Sequence, residues 1–138
     1  MARQLDVNLL FNEEVDQHHR ALLEQYDKLS EAVQQGNSST VITQLSGFLC
    51  DYSSEHFDAE DKLMVQHCYP QTDPHRREHR DFERDITKLK KKLELEGPTR
   101  KLAVAATGIL LRWIVQHVNK SDVDMVAHFR KCQEPEIS

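Results

Sequence analysis

The sequence is poor in the residues that interrupt helices, with four glycines and four prolines in 138 positions. That scarcity suits long helices joined by short turns. Apolar runs are short as well. None approaches the ~18 consecutive residues of a transmembrane helix, so no membrane-spanning helix is expected. Positive charge is not in excess, the formal net charge being -5. Phosphate binding needs a basic face, so nucleic acid is a disfavoured partner. The three cysteines, Cys50, Cys68 and Cys132, are an odd number and form no CxxC pair. They read as reduced thiols of a cytoplasmic protein. The opening residues, MARQLDVNLLFNEEVDQ, are too acidic and broken for a signal peptide. Sustained alternation with a period of two is missing, so no sheet is expected.

What is present is one soluble domain over residues 1–138, 38% hydrophobic and 30% charged, long enough for a real core. Breaks at QGNSST (35–40), YPQTDP (69–74) and EGP (96–98) divide it into four segments. Each segment carries an apolar stripe at helical spacing. The first runs through Val15, His19, Leu22, Tyr26, Leu29 and Val33. The second runs through Ile42, Leu45, Leu49, Tyr52, His56 and Leu63. The third holds His75, His79, Phe82, Ile86, Leu89 and Leu93, and the fourth Ala103, Ala106, Leu110, Trp113 and His117. Helices are expected over about 12–35, 40–68, 74–95 and 99–131. Asp73 is expected to cap the third, with Pro74 at its first position. Short connections make the expected fold all-α, an antiparallel up-down-up-down four-helix bundle. A short N-terminal arm (Val7, Leu9, Leu10, Phe11) should pack across it.

Every stripe contains a histidine on its core-facing side. A single buried imidazole is ordinarily a satisfied core residue. Four stripes with the same feature need a common partner, because unpartnered buried imidazoles and carboxylates would cost a few kcal/mol each. A metal centre is such a partner. On a helix a step of four turns about 400° and rises ~6 Å, so His56 and Glu60 project together, as do His75 and His79. Along the four helices the histidines fall early, late, early and late, which brings them to one end of an antiparallel bundle. Imidazole and carboxylate suit iron, zinc or manganese, and the lack of cysteine argues against iron–sulfur and structural Cys-zinc sites. Five histidines with one or two carboxylates exceed one tetrahedral ion and suit two metals. The Glu-x-x-His pairs of ferritin-like di-iron bundles do not occur in this chain.

With these pieces in order, VDQHHRALL (15–23), YSSEHFDAEDKLM (52–64), YPQTDPHRREHRDF (69–82) and LLRWIVQHVNKSD (110–122), the chain resembles the hemerythrin family, in its bacterial single-domain form. The resemblance implies two non-haem irons with a bridging oxo or hydroxo group. It implies that His75, His79 and His117 hold one iron and His19 and His56 the other, with Glu60 and Asp122 bridging. The second iron then keeps an open position, at which family proteins bind O2 reversibly. Trp113 and Ile114, one turn before His117, should wall that position, with Leu22, Leu23 and Phe57. The family often has glutamine just before the first histidine, where this chain has His18; the stripe selects His19 as inward-facing, and His18 is expected in solvent in preference to the alternative, a hydrogen-bonding place at the edge of the site. His67 and His128 are expected to be bystanders.

Three functions are compatible with that resemblance. An O2 carrier or store, not an enzyme, comes first. A sensor that signals O2 or redox state to a protein partner is second. A di-iron enzyme acting on peroxide or nitric oxide is third. A monomer or weak oligomer is expected. One residue sits badly with the geometry. Asp122 follows His117 by five, and on an ideal helix that step leaves it roughly 140° away. If Asp122 belongs to the centre, the backbone near 118–122 must be irregular, as a π-bulge or a loosened helix end.

Overall fold

A computed structural model describes residues 13–133, with side chains from 17 to 131. The hydrophobic arm expected at Val7–Phe11 lies outside the described residues. Four helical legs follow one another. The first three are α1 (Glu13–Gln35), α2 (Ser38–Gln66) and α3 (Thr72–Glu96). The fourth is continuous but composite: α4 (Arg100–Trp113), a π-helical segment (Ile114–Ser121) and α5 (Asp122–Gln133). Among the described residues there is no strand. Each leg packs against the next and α4 closes against α1, giving an all-α four-helix bundle.

The turns follow from local chemistry. Gly36, at φ 78°, supplies the left-handed turn between α1 and α2. Gly97 adopts the same φ of 78° and donates its N–H to the Leu93 carbonyl at 2.9 Å, closing α3. Thr99 caps α4, its hydroxyl accepting from the Leu102 N–H at 3.1 Å. At the start of α3 the expected cap is displaced. The helix begins at Thr72 with Gln71 as N-cap, so Asp73 lies inside the first turn. The Thr72 hydroxyl donates to the Tyr69 carbonyl at 2.6 Å and pulls the start forward. Pro74 still falls in the first turn, where its missing N–H leaves no helical bond unmade.

The main core runs the length of the bundle through Leu22, Leu29, Ile42, Leu45, Leu49, Ile86, Leu89, Ala106 and Leu110. Burying each large aliphatic chain contributes about 1.5–3 kcal/mol. A smaller cluster of Met64, Tyr69, Met125, Val126 and Phe129 seals one end. Met64 follows Glu60 by four and Met125 follows Asp122 by three, so the polar residues lie between the two apolar clusters. The fourth leg corrects one expectation. No unbroken apolar run is present, yet Arg100–Lys131 is long and apolar enough by length and composition to cross a membrane. A core helix passes the same test, and this one turns Ala103, Ala106, Leu110, Trp113, His117 and Asp122 into the bundle.

Candidate metal centre

His19 on α1, His56 and Glu60 on α2, His75 and His79 on α3, His117 in the π segment and Asp122 at the start of α5 converge, all buried. Glu60 is central. Its Oε1 lies 2.9 Å from His75 Nε2 and 2.8 Å from His79 Nε2. Its Oε2 faces the other way, 2.9 Å from His56 Nε2 and 4.0 Å from His19 Nε2. Asp122 divides in the same manner. Oδ1 lies 3.1 Å from both His75 and His117 Nε2, and Oδ2 lies 2.9 Å from His19 and 3.9 Å from His56 Nε2. Two donor groups result: Glu60, His75, His79 and His117, to which Asp122 Oδ1 adds, and His19, His56, Glu60 and Asp122.

The π segment resolves the misfit of the five-residue step. Bonding from i to i+5 widens the turn, so five residues return to about the same face. The Asp122 N–H bonds to the His117 carbonyl. One π turn therefore spans these two residues and leaves Asp122 fully buried.

The donors fit metal ions on their own geometry. Ligands ~2.1 Å from an ion and at right angles stand ~3 Å apart, and opposed ones stand ~4 Å apart. The contacts between carboxylate oxygens and imidazole nitrogens fall into those two classes. Hydrogen bonding accounts for only part of this close approach, that of Glu60 Oε1 with His75 and His79. His19 Nδ1 and Nε2, His56 Nε2, Glu60 Oε2, His117 Nε2 and both Asp122 oxygens are buried without a hydrogen-bond partner among the described residues. All but His19 Nδ1 are atoms of the two donor groups, which face shared points between them.

Charge and protons follow from that crowding. Burial alone would raise the Glu60 pKa, but attraction from His56 and the close imidazoles of His117, His56 and His75 hold it well below the usual carboxylate range. Burial and the neighbouring Glu60 would likewise raise Asp122, and His117 and His19 outweigh them to lower it. Burial disfavours the His75 imidazolium, yet the nearby carboxylates of Asp122 and Glu60 push its pKa up to about 9. His117 is raised well above its ordinary value, burial being outweighed chiefly by Asp122. Burial lowers His79 despite its contact with Glu60. Metal-free, the cluster therefore holds protons that metal would displace.

Outer partners fix the imidazoles. His117 Nδ1 lies 3.1 Å from Glu78 Oε1, and the Ser121 hydroxyl donates to that oxygen at 2.8 Å. Trp113 stacks on His117 at 3.8 Å between centroids, and Phe82 on Trp113 at 4.1 Å. Phe57 stacks on His79 at 3.9 Å, and Tyr52 on His56 at 4.8 Å. Trp113 Nε1 donates to the Tyr52 hydroxyl at 3.2 Å. Leu22, Leu23, Phe57, Trp113 and Ile114 are all buried. A cavity of about 200 Å³ reaches Trp113 and His117 from the Glu78, Asp81 and Arg112 side; Leu22, Leu23, Phe57 and Ile114 do not line it.

The sequence reading missed Glu78, although it sits directly before His79 and three after His75. It also misplaced His18. That residue is half-buried rather than in solvent, and its Nδ1 lies 3.3 Å from His56 Nδ1. The ~100° between adjacent helix residues keeps His18 out of the centre but aims it at the α1–α2 seam. His67 stacks on Phe129 at 4.6 Å and His128 lies 5.3 Å from Tyr69, both at the sealing cluster and outside the donor groups.

Residues 10–129 match the family model described as Hemerythrin HHE cation binding domain. The chain is also similar to curated proteins named Bacteriohemerythrin. It is 27% identical over 117 residues to those of Pseudomonas aeruginosa (strain LESB58) and P. aeruginosa (strain UCBPP-PA14), a span of 83% of this chain and 74% of each relative. The same identity and coverage hold for the Bacteriohemerythrin of Pseudomonas paraeruginosa (strain DSM 24068 / PA7).

Proposed function

The chain belongs to the hemerythrin family, and from that premise we propose that it is a non-haem di-iron protein that binds O2 reversibly for storage, transport or delivery. The observation that carries the reading is the division of each carboxylate. Glu60 and Asp122 each turn one oxygen to the His75/His117 side and the other to the His19/His56 side. Bridging carboxylates do this, whereas a single ion would draw the oxygens to one side. His75, His79 and His117 would hold one iron, and His19 and His56 the other, with an oxo or hydroxo bridge. Iron supplies the electrons that reversible O2 binding requires.

The protein's own part is to hold donors rigid and exclude water. With one histidine fewer, the His19/His56 side would keep the open position. Tyr52, stacked on His56, accepts a hydrogen bond from Trp113. Burial pushes its hydroxyl well above its ordinary pKa, so it keeps its proton. A cytoplasmic place and a monomeric or weakly oligomeric state go with this reading.

The test is to load the protein with ferrous iron without air, admit O2, then remove it. Two irons per chain and a visible charge-transfer band that comes and goes support the reading. Rapid irreversible oxidation points to a sensor or enzyme. One iron per chain, or tightly held zinc, overturns it.

A further inference from the structure

We propose that His18 is a positioning residue for His56, acting as the hydrogen-bond acceptor that fixes the His56 tautomer on the two-histidine side of the centre. The inference rests on the di-metal reading above and concerns a residue outside the donor groups. A neutral imidazole carries one N–H, so a ring that offers Nε2 to a metal must carry its proton on Nδ1. His56 Nε2 is buried without a hydrogen-bond partner and lies 2.9 Å from Glu60 Oε2, turned into the cluster. Its Nδ1 is 3.3 Å from His18 Nδ1. Two nitrogens at that distance share one proton. The His56 proton must lie on Nδ1, so His56 donates, and His18 accepts with its own proton on Nε2.

The surroundings make His18 part of a clamp. Tyr52 covers one face of His56, with planes 11° apart. The His18 ring stands edge-on to both His56 (5.4 Å) and Tyr52 (6.5 Å). The His56 ring plane is therefore held by stacking, and its rotation within that plane by the bond to His18. The other side of the centre is backed differently, because His117 Nδ1 meets the Glu78 carboxylate. A carboxylate acceptor draws the imidazole toward imidazolate and strengthens it as a donor to oxidised metal. A neutral imidazole acceptor does so far less. His18 thus leaves His56 an ordinary neutral donor on the side with the open position, and the two metal positions become electronically unequal.

The experiment titrates metal-free wild type, H18L and H18Q with Co2+ and reads stoichiometry and affinity by visible absorption. In the Zn2+-loaded wild type, 15N NMR looks for a His56 Nδ1–H and for direct coupling between the two Nδ1 nuclei across the hydrogen bond. Wild type should take two equivalents and show that coupling. H18L should weaken the second equivalent by about 10- to 100-fold. H18Q, whose side-chain oxygen also accepts, should recover most of the loss. H18E, with a carboxylate like Glu78, should lower the midpoint potential of the iron-loaded protein. Absence of Nδ1–Nδ1 coupling in wild type overturns the proposal without any variant. Unchanged binding in H18L, or H18Q as impaired as H18L, overturns it while leaving the di-metal reading standing. A wild type that takes fewer than two equivalents overturns both.

Discussion

Removing the metal should cost this protein much of its stability, and the cost should grow as pH rises. Six donor-group nitrogens and oxygens at the centre are buried without a hydrogen-bond partner among the described residues. Leaving such groups unmade costs about 1–3 kcal/mol each, or about 12 kcal/mol at the midpoint. That is comparable with the ~5–15 kcal/mol that holds a typical domain folded. Protons offset part of it. His75 and His117, both raised, can pair as cations with Glu60 and Asp122 when metal is absent. A buried charge pair retained rather than broken is worth about 3–5 kcal/mol, so two such pairs offset roughly 6–10. The remainder, at least about 2 kcal/mol, should appear as metal-linked stability. At about 4 °C per kcal/mol for a chain of this size, chelation should lower the melting temperature by at least about 8 °C.

The pH dependence has a definite sign. The folded, metal-free His75 has a pKa of about 9, against an ordinary value of ~6.5 unfolded. Its stabilising contribution is therefore complete below pH ~6.5 and is lost as pH rises through about 9. That contribution amounts to about 3 kcal/mol at 1.36 kcal/mol per pKa unit. In the loaded protein the imidazoles are neutral already, so its stability does not share this loss. The gap between loaded and metal-free melting temperatures should widen from pH 6.5 to 9, by about 12 °C. Calorimetry of the anaerobic ferrous protein and its chelated form at four or five pH values measures it. A gap below about 3 °C, or one that narrows as pH rises, would refute the reasoning.

Other perturbations separate site from scaffold. His117→Ala should remove the visible band and at least one iron while far-UV circular dichroism keeps most of its helical signal, since the apolar core has its own stripes; two irons retained would remove His117 from the centre. Glu78→Gln should weaken metal binding by about 10- to 100-fold by loosening His117, with helix content unchanged; isothermal titration with Zn2+ reads this, and an unchanged affinity would make the contact incidental. Trp113→Ala should cost about 3–5 kcal/mol in urea unfolding, because it empties a stacked, buried position, and should speed loss of the O2-bound spectrum. A loss below 1 kcal/mol would contradict the packing described here.

Most of the bundle was legible because its signals repeat. Leu22, Leu29, Leu45, Leu49, Phe82, Ile86, Leu89 and Leu110 fall on their predicted stripes and are buried. The inward-facing histidines sit on the same stripes, so the period that found the core also found His19, His56, His75, His79 and His117. What stayed illegible depends on contacts between helices. Glu78 backs His117 across 39 residues of sequence, and His18 meets His56 across 38. Neither pair is visible until α1 and α2, or α3 and the fourth leg, are set at one level. Solvent was preferred for His18 over the site edge because the stripe fixes only which residue faces inward. A residue beside the inward stripe lies at the seam and can reach the neighbouring helix. Asp73 failed differently, since Thr72 and the Tyr69 carbonyl begin α3 before it.

Asp122 shows how a conflict between pattern and geometry can locate a backbone feature. On a regular helix it would be turned roughly 140° from His117. The structure absorbs the misfit by one extra residue in the turn, spread over Ile114–Ser121. Everything downstream depends on that residue, because Met125, Val126 and Phe129 all face inward in the register that follows it. A π-helical segment read as an inserted residue makes an asymmetric prediction. Deleting Lys120, which is exposed, sets the aspartate four after His117. On an α-helix a step of four faces the same way, so the centre and the sealing cluster should both survive, with full iron content. Inserting an alanine after Lys120 sets the aspartate six after His117, a step the helix cannot absorb without a second bulge. Iron content should then fall and the sealing cluster should loosen, read as faster amide exchange at Met125 and Phe129. If the deletion abolishes iron binding while the insertion spares it, the π segment is not the device that brings Asp122 inward.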